Sequence, residues 1–382
     1  MTVSLGFAPS ENPFVVEEGG FYRRWLRMLD DHAELQETVS HLQGTTEDLW
    51  VPVWKEVGDR YEDEGDRLEE DGDWENARRK YLIAKTYYAI GRFPGEVSAV
   101  KRSISEDCAR AYRKASAHLD PPVQVVEVPH EEKTIRSHFR APSQAGPSHP
   151  VPAVLIMCGA DVFKEDRGWA QDYCLEQDMA SLVMDAPGTG ENPFPWTPES
   201  VSAWVAAIDW LAARPEIRAD AIGAFGISRG GYSVMQLAGT VPDKVQAVVA
   251  NAGHPFGYVM PDDELDEFVA VKNERATWKF GAPDDPPFFP ATSREQEREA
   301  FSRWSLSELG LVDRITQPVL MINGKKDHLA PIGNIYFMLE NGPPTGRQAR
   351  IYADDGHCAF KHFRDWAPAS FAWLGQNLTR IE

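Results

Sequence analysis

The sequence predicts an α/β fold, a mostly parallel sheet flanked by helices and preceded by a helical domain. Three observations carry this expectation. From Pro121 onward, short apolar runs alternate with helical patterns, which is the order of βαβ units with helices on both sheet faces. Residues 20–118 read instead as helices. One apolar run leads straight into AFGISRGGYS, residues 224–233. That stretch sets a Gly-x-Ser-x-Gly pattern at a strand-to-helix boundary.

In the N-terminal part, WENARRKYLIAKTYYAIG (residues 74–91) puts Ala77, Tyr81, Ala84 and Tyr88 on one helical face. Gly91 is the expected stop, and Ser103–Leu119 reads as a further helix. Trp50 and Trp54 are four apart and share a face. No 34-residue repeat is present, so a tetratricopeptide array is not supported. The acidic run EDEGDRLEEDGDWE, residues 62–75, reads as a solvated helix face and loop rather than a metal site.

After Pro121, Val123–Val128 and Thr134–Arg140 read as a hairpin. APSQAGPSHP is a loop. VPAVLIMCG has the unbroken apolar character of a buried parallel strand, and Ala180–Met184 is the next run. Val201, Trp204, Val205, Ile208 and Leu211 mark a helix. Ala221–Phe225 is a strand and Tyr232–Gly239 a helix, so the serine sits between them. Val245–Ala250, Val319–Ile322 and Arg350–Tyr352 supply further strands.

Bulk properties bound the function. The 382 residues suit one large domain plus an appendage, and 42% hydrophobic content can build a substantial core. The net charge of −20 disfavours nucleic acid and anionic membranes as partners. No apolar run reaches the roughly 18 residues of a membrane helix. The start, MTVSLGFAPSENPF, lacks the basic and apolar regions of a signal peptide. Cys108, Cys158, Cys174 and Cys358 show no CxxC spacing. A reduced, cytoplasmic protein without a disulfide framework is expected.

A serine hydroxyl needs a base to act as a nucleophile at neutral pH. For Ser228 that base is expected to be His357, in DDGHCAF just after a strand; His362 lies further into the next helix. The acid is expected at Asp327, in MINGKKDHLAP after the strand before it, where a carboxylate would orient the imidazole. Asp354 and Asp355 are alternatives, and His328 should point away. The order Ser228, Asp327, His357 is that of α/β-hydrolases. Backbone N–H groups of Arg229 and Ala160 are the expected oxyanion donors, with Asp161 as a second choice beside Ala160. Cys158 reads as a buried small residue rather than a reactive thiol. DAPGTG, residues 185–190, lacks the third glycine of a dinucleotide loop and reads as a tight turn. No metal-ligand spacing appears, and the chemistry calls for no cofactor.

MCGADVFKED, MDAPGTGE, RADAIGAFGISRGGYSV and ADDGHC together resemble the FrsA-like serine hydrolases of the α/β-hydrolase superfamily, over roughly residues 120–380. The resemblance implies a helical N-terminal domain over the catalytic sheet, often a homodimer, and the triad Ser228, Asp327, His357. It implies hydrolysis of an ester or of a carbon–carbon bond beside a ketone. In one branch of that family a glutamate after the sixth strand is also implicated, and Glu264 in MPDDELDE falls near the matching place.

The expected organisation is a helical cap domain at 1–120 and an α/β-hydrolase domain at 121–382, with a lid insertion at about 255–313. Aromatic residues of the insertion, among them Trp278 and Phe280, are candidates to line an apolar pocket for a polyketide-like, aromatic or acyl small molecule. Acyl transfer to an alcohol and a non-catalytic scaffold are the competing readings.

Overall fold

The computed structural model describes Trp25 and residues 28–276, 279–285, 290–344 and 346–379. The chain divides into two compact units: Met1–Pro122 with Lys272–Ala291, and Val123–Val271 with Thr292–Glu382. Within the expected insertion, residues 272–291 group with the helical unit and the flanking residues with the other.

In the helical unit, α1 (His32–Ser40), α2 (Glu47–Glu70), α3 (Trp74–Arg92) and α4 (Ala99–Ala117) follow one another. Asp31, Asp73 and Ser98 cap α1, α3 and α4, each side chain accepting a first-turn N–H. Trp25, Trp50 and Trp54 meet with ring centroids 5.3–5.7 Å apart. Their edge-on and tilted geometry suits the ring quadrupoles. Gly58 and Gly65 leave notches in α2 for the rings of Tyr88 and Tyr81, so α2 and α3 run antiparallel in close contact.

The acidic run is largely solvated, as expected, with Asp63, Glu70, Asp71 and Glu75 exposed, but Glu62 is buried. Tyr88 donates to Asp59 and Glu62, and Tyr81 donates to Asp66 and Glu69. Arg110 and Lys114 of α4 add ion pairs to Glu62 at 2.7 and 3.0 Å. These partners hold the Glu62 carboxyl at about 2, although burial alone would raise it. One side of the run, through Glu62, Asp66 and Glu69, thus joins α2 to α3 and α4. Phe280 is a correction. It is 1% exposed and packs edge-on against Phe93 at 5.7 Å, in the core of the helical unit rather than on a pocket wall. Trp278 lies outside the described residues.

Among the described residues, the second unit holds an eight-stranded sheet in the order β1-β2-β4-β3-β5-β6-β7-β8. The strands are β1 (Gln124–His130), β2 (Lys133–Arg140), β3 (Val151–Met157), β4 (Ala180–Met184), β5 (Ile217–Ile227), β6 (Ala247–Asn251), β7 (Val319–Gly324) and β8 (Arg347–Tyr352). β1 and β2 are antiparallel, β2 joins β4 antiparallel, and all other pairs are parallel. Every residue of β3 is buried, as befits a strand covered on both faces. Ala153, Leu155 and Met157 join the core under α6 (Val201–Ala212) and α7 (Arg229–Thr240). Val154 and Ile156 join the core under α5 (Gly168–Leu175) and α11 (Phe363–Leu378). Parallel register aligns the strand ends: Met157 pairs Gly226, Ile227 pairs Asn251, and Gly324 pairs Tyr352. The loops leaving β3, β5, β7 and β8 therefore emerge along one edge.

Candidate active site

Strand β5 ends at Ile227 and α7 begins at Arg229, leaving Ser228 alone at the turn. Its φ of 58° and ψ of −117° are strained for a residue with a side chain. The turn closes only because its flanks are glycine. A Cβ on Gly226 would lie 2.1 Å from the Gly230 carbonyl oxygen. The Ser228 N–H donates to the Asn251 carbonyl at 2.8 Å, fixing the turn to β6.

Asp327 and His357 reach the serine from two later strands. The His357 Nε2 is 2.9 Å from the Ser228 Oγ, and its Nδ1 is 2.7 Å from the Asp327 Oδ2. The Asp327 side chain is fully enclosed. Its Oδ1 accepts the N–H groups of Leu329 and Ala330 at 2.7 and 3.0 Å, and its Oδ2 also accepts the Asn323 amide at 2.8 Å. Burial pushes this carboxyl up, but His357 and these donors override it and hold it below its ordinary value. For His357, burial opposes the charged form, yet Asp327 prevails and raises the imidazole well above its ordinary value.

The other acids and histidines are engaged elsewhere. Asp355 accepts the N–H groups of Gly356 and Lys361 and so shapes the loop that carries His357. Asp354 pairs with His362 at 2.8 Å, and His328 with Glu267 at 3.1 Å on the surface. Glu264 stands on α8 (Asp262–Arg275), where its carboxylate accepts the Tyr258 hydroxyl at 3.1 Å.

The loop after β3 passes beside the serine. A Cβ on Gly159 would stand 3.7 Å from that of Ser228 and 4.0 Å from the Asp161 Oδ1. Ala160 follows in this loop, and Arg229 contributes the first N–H of α7, an N-terminus that favours developing negative charge. A buried ion cluster holds the loop. The Lys164 Nζ meets Glu165, Asp185 and Glu191 at 2.8, 2.9 and 2.7 Å, and the Lys164 N–H donates to Asp185. The aspartate of DAPGTG, 0% exposed, is thus an anchor for that loop. Cys158 is buried at the end of β3, and burial pushes its thiol well up, away from thiolate chemistry.

A family model for FrsA-like esterases matches residues 27–339. The chain belongs to the FrsA-like esterase family. Like its relatives, this FrsA-like protein is an α/β-fold hydrolase. It is 22% identical over 337 residues to a 2,6-dihydropseudooxynicotine hydrolase of Paenarthrobacter nicotinovorans, covering 87% of this chain and 86% of that one. The crystal structure of a 2,6-dihydroxy-pseudo-oxynicotine hydrolase superposes with a TM-score of 0.71 at 22% identity, covering 86% of this chain and 89% of that one. AbyA5 superposes with a TM-score of 0.68 at 18% identity, covering 94% and 98%. Both share the α/β-hydrolase sheet with the FrsA-like chain.

Two site residues escape a reading of the sequence. Asn323 links the acid loop to the histidine loop, donating to Asp327 and accepting the Cys358 N–H at 3.2 Å. Its signal was present, since it lies four residues before Asp327 at the end of β7. His254 is buried after β6 and stacks on Phe256 at 4.0 Å. Burial lowers it to about 3, so it stays neutral, with Nδ1 accepting the Phe256 N–H. Nothing in the local sequence marks it.

Proposed function

We propose that this hydrolase works by nucleophilic catalysis through Ser228, with His357 as base and Asp327 as its orienting anion. The observation that carries the reading is the unbroken chain Ser228–His357–Asp327, at 2.9 and 2.7 Å, on a strained strand-to-helix turn. The substrate is a carbonyl compound: an ester, lactone, thioester or β-diketone. Ser228 Oγ bonds to the carbonyl carbon while its proton passes to His357 Nε2. The Arg229 and Ala160 N–H groups hold the oxyanion. The bond to the leaving alkoxide, thiolate or enolate then breaks, and His357 returns the proton to it. Water repeats the attack on the acyl-serine, its proton passing through His357 back to Ser228.

Labelling by a fluorophosphonate tests the reading. The native protein should be modified at Ser228, and Ser228→Ala should lose both labelling and at least about 10³-fold in kcat on activated esters. A folded Ser228→Ala protein with near-native turnover refutes it.

A further inference from the structure

The neighbour of the serine carries a group that the proton chain does not use. The backbone of Arg229 opens α7, but its side chain is half-buried and forms no hydrogen bond or ion pair among the described residues. Its guanidinium lies 4.9 Å from the centre of the Trp196 ring. Asp161 acts on it through space without closing an ion pair. Burial lowers the guanidinium to about 10, with Asp161 working in the opposite direction, so it is still a cation at neutral pH. A half-buried cation without a bonded counter-charge keeps its donors available to a ligand. The Trp196 ring engages one face of the guanidinium and leaves its edge donors open. A bidentate anion would satisfy the guanidinium fork that no described residue satisfies.

Sheet order tells which half of a substrate would meet this cation. β5 delivers the serine. On one side of it, β3 and β4 send out the loops with Asp161 and Trp196, and the Arg229 side chain lies among these. On the other side, β7 and β8 send out Asp327 and His357. His357 returns its proton to the leaving group, which therefore occupies the far side. The Arg229 side faces the part of the substrate that stays on the serine.

We propose that the Arg229 side chain is an anion subsite, and that the natural substrate carries a carboxylate on its acyl half. This rests on the reading of Ser228 as the nucleophile.

Binding to the full-length Ser228→Ala protein, measured by calorimetry, reads the subsite without turnover. The probes are mono-p-nitrophenyl glutarate and the uncharged p-nitrophenyl valerate of similar length. The glutarate should bind about 30-fold more tightly, and this preference should fall to within about threefold when Arg229→Met is added. Arg229→Lys should keep part of it, since a lysine retains the charge but not the fork. Asp161→Asn should widen it by removing a competing negative charge. With Ser228 intact, Arg229→Met should lower the glutarate-to-valerate ratio of kcat/KM by the same factor, mostly through KM. Equal affinity for the two probes in Ser228→Ala overturns the proposal without any Arg229 variant. A preference that survives in folded Arg229→Met also overturns it. Residual hydrolysis by Ser228→Ala would strike instead at the nucleophile assignment, and would leave the affinity comparison readable.

Discussion

Asp327→Asn changes one oxygen to an NH₂ in a site whose four hydrogen bonds are all accounted for. Oδ1 takes the backbone N–H groups of Leu329 and Ala330, while Oδ2 takes His357 and Asn323. An asparagine must choose which side receives its NH₂. Turned toward Leu329 and Ala330, it would face two buried donors, at roughly 1–3 kcal/mol each. Turned toward His357, it faces the single amide of Asn323, so this is the arrangement expected. The His357 Nδ1 then becomes an acceptor and the ring proton moves to Nε2. That nitrogen sits 2.9 Å from the Ser228 Oγ and can no longer take its proton. The stabilisation of the imidazolium by a buried anion is lost as well. By comparison with other triads, kcat should fall about 10⁴-fold, which corresponds to roughly 5.5 kcal/mol of transition-state stabilisation. Steady-state release of p-nitrophenol measures this directly, with near-UV circular dichroism to establish that the variant is folded. A folded variant that loses less than about tenfold would refute the argument, and so would an equal loss produced by Asp354→Asn.

The same ion pair sets the pH response. Asp327 raises His357 above the ordinary imidazole value of 6.5, and only the neutral ring accepts a proton. The rising limb of kcat/KM should therefore lie above 6.5 and move down in Asp327→Asn; a limb below 6.5 in the native protein contradicts the coupling. Gly226→Ala would set a Cβ 2.1 Å from the Gly230 oxygen, a backbone clash that no rotamer relieves. It should cost at least about 1–3 kcal/mol and abolish fluorophosphonate labelling of Ser228; native labelling and an unchanged melting point would contradict the turn geometry. Trp54→Ala empties a site that is 0% exposed and bounded by Trp25, Trp50 and Tyr87. Denaturant unfolding should show a loss of about 3–5 kcal/mol, and an unchanged midpoint would mean that the cluster does not stabilise the unit.

What was legible in the sequence was whatever repeats locally. Unbroken apolar runs marked β3, β4, β5 and β7, because strands covered on both faces have no polar side to disguise them. The apolar signal covers only Arg350–Tyr352, whereas β8 begins at Arg347. It is an edge strand, and Arg347 and Gln348 dilute its apolar signal. The helix read from Ser103 begins at Ala99, where Ser98 supplies the cap. Residues at strand ends were legible for a related reason. A parallel sheet brings the carboxyl ends of its strands together, so Ser228, Asp327 and His357 meet although 129 residues separate the serine from the histidine.

Partnerships between side chains of different loops were not legible. The burial of Glu62 is hidden in an acidic run because its charge is local, whereas the tyrosine and cations that enclose it come from α3 and α4. Phe280 looked like a pocket residue because an aromatic in an insertion gives no sign of which core it enters. The same limit explains the reading of Arg229. Its position in Gly-x-Ser-x-Gly identifies a backbone N–H, since the turn dictates backbone geometry whatever the side chain. The environment of its guanidinium depends on Trp196 and Asp161, which arrive from the loops after β4 and β3. A turn motif thus specifies where bonds are made and broken. The choice of substrate depends on side chains that the motif leaves open, and those become visible only when neighbouring strands are laid in order.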